Sequence, residues 1–252
     1  MKGAPAPDHY SYRHYEKAST ASTFDERRFG GPIGNLVSGT QAQVLANFIG
    51  RINERRILDV GTGTGRAARL LASGGAQVTA VDASEAMLAV AREKAAAEGV
   101  RVQFQRGDAH ALEFRDRSFD VTVCLRVLMH TPQWRQCIAE LCRVSQRLVI
   151  VDYPSSSSFA LLESLTRRAL HRVGVGAEPY RVFSDAAIAE VFDQHGFRIR
   201  SIHRQFVMPI AFHKAIGSRR FTLGIESALE RAGLLKRVGS PVSLVAERCT
   251  FS

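Results

Sequence analysis

Ile57-Leu-Asp59-Val-Gly61-Thr-Gly63-Thr-Gly65-Arg66 is a short apolar run that breaks into three glycines at alternate positions. Ile57 to Val60 reads as a buried strand, Gly61 to Gly65 as a tight turn, and Arg66 to Ala72 as a helix. Glycines at such a turn let the backbone bend sharply and approach a ligand at the positive end of the helix. The spacing is GxGxG. The dinucleotide fingerprint GxGxxG would put a third glycine at position 66, where this chain has Arg66. Asp59 points the same way, because a carboxylate beside the turn repels a pyrophosphate and suits the ammonium of an amino acid.

Outward from this stretch, strands and helices alternate. Gln77 to Asp82 reads as a strand, Ser84 to Ala97 as a helix with Ser84 as its N-cap, and Arg101 to Gln105 as a third strand. Phe119 to Leu125 is a fourth strand, Gln133 to Arg143 a helix, and Arg147 to Tyr153 a fifth strand. This order predicts a parallel sheet covered on both faces. Beyond Pro154 the spacing predicts a helix capped by Ser155 to Ser158 and running to about Val173, a loop over Gly174 to Pro179, and a helix over Ser184 to His195. Phe197 to Phe206 and Ser243 to Thr250 both alternate and are expected to pair as an antiparallel hairpin. Between them Phe212 to Arg237 is helical in pattern and reads as an insertion over the edge of the site.

Two acidic residues follow the glycine turn. Asp82 closes the second strand about 20 residues after Gly61, where a carboxylate can take both hydroxyls of a ribose. Asp108, in Gly107-Asp-Ala-His110, follows the third strand. Together with Asp59 these are acids at three successive strand ends of one crevice.

On these residues the chain resembles the class I S-adenosylmethionine-dependent methyltransferases, of the type 11 and ubiquinone–menaquinone C-methyltransferase kind. The resemblance covers about residues 40 to 155 through LDVGTGTGR, AVDASEAML, GDAHALEF and FDVTVCLRVLMH. It implies a Rossmann-like, doubly wound sheet of seven strands, mostly parallel with a C-terminal antiparallel hairpin. It also implies a helical N-terminal cap (1–45), an S-adenosylmethionine-binding core (46–155), and a C-terminal part (156–252) whose helical insertion at about 207–240 lies over the acceptor. For the cofactor it implies Asp59 near the methionine ammonium, Gly61, Thr62, Gly63 and Gly65 beneath the ligand, and Asp82 with Ala83 on the ribose. Met87 would pack on the adenine or simply in the core, Asp108 and Ala109 would meet the adenine amine, and Leu125 and Arg126 would flank the methionine part. Arg126 departs from the Asn, His or Ser common in the family, and a cation there calls for a carboxylate partner or an anionic substrate. Among methyltransferases of this kind an N-terminal segment folds over the cofactor, and Tyr15 and Arg28 are the residues expected to reach its carboxylate; the segment reads equally as an amphipathic helix packed outside the sheet.

Methyl transfer is an in-line displacement, so a protein base is needed only when the acceptor must lose a proton. His130, Asp152 and Tyr153 stand near the ends of the fourth and fifth strands and are the candidates. His130 reads also, and more readily, as a cap for the helix that starts near Pro132. The stretch Ile202 to His213, with His203, Arg204, Lys214, Arg219, Arg220 and Phe221, reads either as the wall of a pocket for an apolar acceptor with an acidic head or as a strand end with a basic rim.

The 252 residues and 27.7 kDa suit one domain able to bury a full core. With 45% hydrophobic and 23% charged residues and a mean hydropathy of −0.08, fibrous and wholly disordered classes are excluded. The net charge of +10 is the one unusual quantity. It comes from 29 Arg and only five Lys, scattered rather than in blocks: 20 basic against 16 acidic side chains in residues 1–160, and 14 against 8 in 161–252. This invites a nucleic-acid reading. Against it, enzymes that methylate a base amine carry an Asn/Asp-Pro-Pro-aromatic motif after the fourth strand, where this chain has Leu125-Arg-Val-Leu128. The expectation is methyl transfer to oxygen or carbon of a small hydrophobic or acidic acceptor, a quinone, lipid or secondary-metabolite precursor. A nucleic-acid methyltransferase and a non-catalytic cofactor-binding protein are the alternatives. Cys124, Cys137, Cys142 and Cys249 form no CxxC pair, and no metal site is expected. No signal-like stretch or apolar run of about 20 residues appears, so a cytoplasmic protein is expected, with peripheral membrane contact and a monomer or homodimer both open.

Overall fold

The computed structural model describes residues 18–172 and 180–249. Two helices come first, α1 (Ala18–Phe29) and α2 (Gly31–Ile49). The alternating unit follows: β1 (Arg56–Val60), α3 (Arg66–Ser73), β2 (Gln77–Asp82), α4 (Glu85–Ala97), β3 (Val102–Arg106), β4 (Phe119–Cys124), a 3₁₀ turn (Leu128–His130), α5 (Trp134–Val144) and β5 (Ser145–Tyr153). After it come α6 (Ala160–Arg172), α7 (Asp185–Gln194), β6 (Phe197–Phe206), α8 (Ile210–Ile216), α9 (Arg219–Arg231), α10 (Leu234–Val238) and β7 (Ser240–Arg248). The seven strands form one sheet in the order β3-β2-β1-β4-β5-β7-β6. Only β7 runs antiparallel, and it lies between β5 and β6. The result is a Rossmann-like, doubly wound sheet.

Alternation along the strands sorts the core into two layers. Leu58, Val60, Val149, Val151 and Tyr153 join a cluster with Cys137, Ile138 and Leu141 of α5 and Ile188 and Phe192 of α7. Ile57, Val121, Val123, Leu148 and Ile150 join the other, with Val44, Leu45 and Phe48 of α2 and Ala68 and Leu71 of α3. Buried on both faces, these strands read as continuous apolar runs, as parallel strands do. The strand order reverses between β1 and β4, which opens a crevice at the carboxyl ends of the sheet.

Several boundaries differ from the expected ones. The division at residue 45 cuts through α2, whose last two turns are core: Val44, Leu45, Phe48 and Ile49 are all buried. The last strand begins at Ser240, three residues early, because Ser240 pairs with Phe206. The stretch between β6 and β7, expected to be helical, forms three helices separated at Gly217 and Gly233, whose φ angles of 69° and 76° end helical winding. The loop expected over Gly174 to Pro179 lies outside the described residues. Among the described residues no helix is long and apolar enough to cross a membrane.

Candidate functional site

The glycine turn is held from beneath. Gly61 and Thr62 donate their N–H groups to the carbonyl of Val81 at 2.7 and 3.0 Å, tying the turn to β2. Gly61 has φ 70°, and a Cβ there would lie 2.2 Å from Val127 Cγ2. Gly63 has φ 56° and nothing within 4 Å of where its Cβ would stand, so it faces open space. The Asp82 carboxylate accepts from Gly63 N–H at 2.8 Å and Ser84 N–H at 2.9 Å, joining the turn to the start of α4. Ser84 caps that helix through Met87 N–H at 3.1 Å, as expected.

Asp59, at the end of β1, accepts from the Thr62 hydroxyl at 2.6 Å. Burial raises its pKa to about 6, against the Thr62 hydrogen bond and the nearby Arg66 charge, which lower it. Burial also raises Asp82, against three backbone N–H groups. Asp108 accepts from His110 at both N–H (2.9 Å) and Nδ1 (2.7 Å), while Gln133 N–H points to Nε2 at 3.4 Å. That network assigns the proton of a neutral His110 to Nδ1. Asp59, Gly61, Thr62, Gly63, Asp82, Ala83, Met87, Asp108, Ala109, Leu125 and Arg126 all border one cavity of about 170 Å³. Gly65 is not in its wall: φ 78° and the closeness of Ala91 and Phe104 make it a packing glycine at the start of α3.

The N-terminal helix closes this cavity. Asp25 of α1 accepts from the Thr64 hydroxyl at 2.7 Å and pairs with Lys94 of α4. Phe24 and Phe29 thereby form part of the wall. Arg66 stacks 4.2 Å from the Phe29 ring and donates to Ser38 and Gln41 of α2. Gln41 in turn donates to Asp152 at 3.3 Å, and Asp152 accepts from Arg126 N–H. This polar chain holds Arg126 at φ 64°, an uncommon backbone state for a side chain of that size.

A second cavity, about 420 Å³ on the same measure, shares Phe24, Phe29, Arg126 and His130 with the first. Asp152 and Arg28 border it, so Arg28 faces this cavity and not the one where it was expected. Its walls also carry Arg27, Arg167 and Lys214. Glu163 is paired with Arg167 at 3.0 Å, and Lys214 donates to the carbonyls of Arg27 and Arg28. Burial, then the like charges of Arg28 and Arg126, lowers the pKa of Lys214.

Tyr153 is a correction. As the neighbour of Asp152 on a strand it points to the opposite face, where its hydroxyl donates to Asp185 at 2.9 Å and its ring packs on Phe183, and it borders neither cavity. His130 is not the cap of α5, which begins at Trp134 behind Gln133 with no side-chain cap. Tyr15 lies outside the described residues. From the C-terminal stretch Gln205, Val207 to Ala211 and Lys214 line the second cavity, while His203, Arg204, His213, Arg219, Arg220 and Phe221 do not. Arg204 pairs with Asp185, and His213 is buried between Glu226 (2.8 Å) and Thr222 (3.1 Å). Glu226 also accepts from Val207 and Met208 N–H at 2.7 and 2.9 Å, fixing the turn that walls the cavity.

Sequence reasoning passed over Asp25, Gln41, His110 and Arg66 as a binding group. Gln41 carried a signal, since it stands on the same helical face as Val44, Leu45 and Phe48, and a polar residue on an apolar stripe needs a partner. Asp25 carried none, because its partners lie far along the chain.

A family model described as a methyltransferase domain matches residues 57–147. A demethylmenaquinone methyltransferase from Deinococcus radiodurans is 34% identical over 166 residues, covering 58% of this chain and 69% of the relative. The chain belongs to the class I S-adenosylmethionine-dependent methyltransferases. A second relative of this methyltransferase, the demethylmenaquinone methyltransferase of Thermus thermophilus, is 39% identical over 105 residues, covering 40% of this chain. The matched region spans about half (48%) of that relative's length. The crystal structure of magnesium protoporphyrin IX methyltransferase from Synechocystis PCC 6803, with S-adenosylhomocysteine bound, superposes with a TM-score of 0.67 at 18% identity, covering 95% of this chain and 98% of that one. At that identity the likeness is one of fold.

The family's cofactor is S-adenosylmethionine, and the first cavity fits it. A cationic amino-acid end suits the buried Asp59, and the open space at Gly63 leaves a backbone cradle that any Cβ would enter.

Proposed function

We propose that this methyltransferase modifies a small acceptor with an apolar body and an acidic group, and that the acceptor is held in the second cavity. The observation that carries this reading is that the two cavities share Phe24, Phe29, Arg126 and His130 as walls. When bound, S-adenosylmethionine supplies an activated methyl group on a sulfonium sulfur. Asp59 takes the ammonium of the cofactor, and the backbone of Gly61, Thr62 and Gly63 lies beneath it, with Gly65 setting the turn. Asp82 and Ala83 take the ribose, Met87 packs on the adenine, Asp108 and Ala109 meet its amine edge, and Leu125 flanks the methionine portion. The aromatic side chains of α1 exclude water from the junction, which favours a displacement that water would otherwise compete with.

On the acceptor side the wall carries Arg27, Arg28, Arg126, Arg167 and Lys214 against Asp152 and Glu163, an excess of positive charge that favours an acceptor carboxylate or phosphate. His130 is the proton acceptor when an acceptor hydroxyl must be deprotonated, since it stands in the wall shared by both cavities. Asp152, buried and occupied by Gln41 and Arg126, acts as a positioning residue. Two relatives bear the name of a quinone methyltransferase, so quinone precursors are the first acceptors to compare.

The test is transfer of labelled methyl to matched pairs of aromatic acids and their neutral esters, with the wild type and Arg126→Gln. An acid preference of about tenfold or more that Arg126→Gln removes, mainly through KM, supports the reading. Equal use of acid and ester by the wild type overturns it.

A further inference from the structure

Helix α1 ends where its own chain cannot finish it. The last carbonyls of a helix have no partner within it. Gly30 N–H takes the carbonyl of Glu26 at 2.9 Å, but the residue four places past Arg28 is Pro32, which has no N–H to give. Lys214 of α8, far along the chain, fills the gap: its ammonium donates to the carbonyls of Arg27 at 3.0 Å and Arg28 at 2.9 Å. The helix dipole also favours a cation at this end.

The insertion is built to aim this side chain. Helix α8 packs on α2, and its approach is fixed from inside. Glu226 of α9 accepts from Val207 N–H, Met208 N–H and Nε2 of His213, the residue before Lys214, and the Thr222 hydroxyl meets Nδ1 of the same ring. His213 and Thr222 are fully buried, so losing any member of this cluster would leave a polar group without a partner and free α8 to shift. Asp25 grips α1 from the other side through Thr64 and Lys94. The turn that Lys214 grips ends in Phe29, a wall of both cavities that stacks 4.2 Å from Arg66.

We infer that Lys214 is a positioning residue for the cofactor: by capping α1 it keeps Phe24 and Phe29 closed over the first cavity, although it borders only the second. The insertion that walls the acceptor cavity therefore also sets cofactor affinity. The inference rests on the reading that the first cavity holds the cofactor, and it is independent of the acceptor's chemistry.

Titration calorimetry of the full chain with S-adenosylhomocysteine compares the wild type with Lys214→Met, Lys214→Arg and Arg219→Gln. Methionine keeps an apolar stem and removes the donors. Arg219 belongs to the same insertion but lines neither cavity, so its variant makes the same change of charge away from the wall. Lys214 is exposed, which limits the effect: the expected result is affinity lowered about threefold to tenfold in Lys214→Met. Lys214→Arg restores it and Arg219→Gln leaves it unchanged, with the thermal midpoints alike. Lys214→Met is also cut faster by trypsin at Arg27 and Arg28. Wild-type affinity in Lys214→Met overturns the inference, as does unchanged cutting, and so does an equal loss in Arg219→Gln, which would make the effect one of net charge. Absence of binding by the wild type would overturn the cofactor reading and this inference with it, whereas binding that Lys214→Met leaves intact overturns this inference alone.

Discussion

Asp59 is a carboxylate whose burial outweighs the groups that favour its charge, and its pKa of about 6 ties both stability and binding to pH. A carboxyl raised above its unfolded value of about 4 contributes stability that is fully present below that value and lost as pH rises through the folded one. Without ligand, this group therefore favours the folded state more at about pH 4 than at about pH 7. A ligand ammonium needs the carboxylate and reverses the sense. Affinity for S-adenosylhomocysteine is expected to hold from about pH 8 to pH 6.5 and to fall toward tenfold per unit below about pH 6. Titration calorimetry across that range checks this, and Asp59→Asn should bind more weakly with a flat profile; a flat wild-type profile would count against the role given to Asp59. This residue, the glycines, Asp82 and Asp108 could be placed from local sequence because each lies at or shortly after the carboxyl end of a strand. Asp152 and Tyr153 were not separable in that way. Strand alternation says that they face opposite sides, but which side holds the crevice depends on Gln41 and Arg126 on one face and Asp185 on the other.

At the scale of elements, α1 is the part of the site least written in the sequence. The parallel strands announce themselves as apolar runs, and α4 and α7 by the serines that cap them, Ser84 and Ser184. Helix α1 has no apolar stripe of that kind, and its place comes from Asp25 reaching Thr64 of the glycine turn and Lys94 of α4. Removing that carboxylate in Asp25→Ala deletes one hydroxyl bond and one ion pair, about 1–2 kcal/mol of docking. The expected outcome is S-adenosylhomocysteine affinity lower by about tenfold and faster tryptic cutting at Arg27 and Arg28, with little change in the thermal midpoint, since neither partner is in the sheet core. Unchanged affinity and cutting would mean that α1 does not close the cavity. The helical insertion taught a similar lesson: its pattern was visible, but Gly217 and Gly233 divide it, and the buried Glu226 and His213 that brace it are polar residues in a stretch read as pocket lining.

In the whole molecule the middle of the chain builds one cavity and the two ends build the other. Apart from Phe24 and Phe29 of α1, the lining of the first comes from consecutive strand ends between Asp59 and Pro132. The second draws on α1, α2, β5, α6, the turn at Val207 and α8, elements separated by most of the chain, and no local motif describes it. The net charge of +10 takes on a place, since part of it lines that cavity as Arg28, Arg126 and Lys214. The acceptor reading rests on the first cavity holding the cofactor, because the two cavities meet at Arg126 and His130. Titration calorimetry of the wild type and Asp82→Ala with S-adenosylhomocysteine measures that occupancy directly. One saturable site in the wild type, weakened by about tenfold or more when the carboxylate that holds Gly63 and Ser84 is removed, is the predicted result; no heat of binding at millimolar ligand would contradict it.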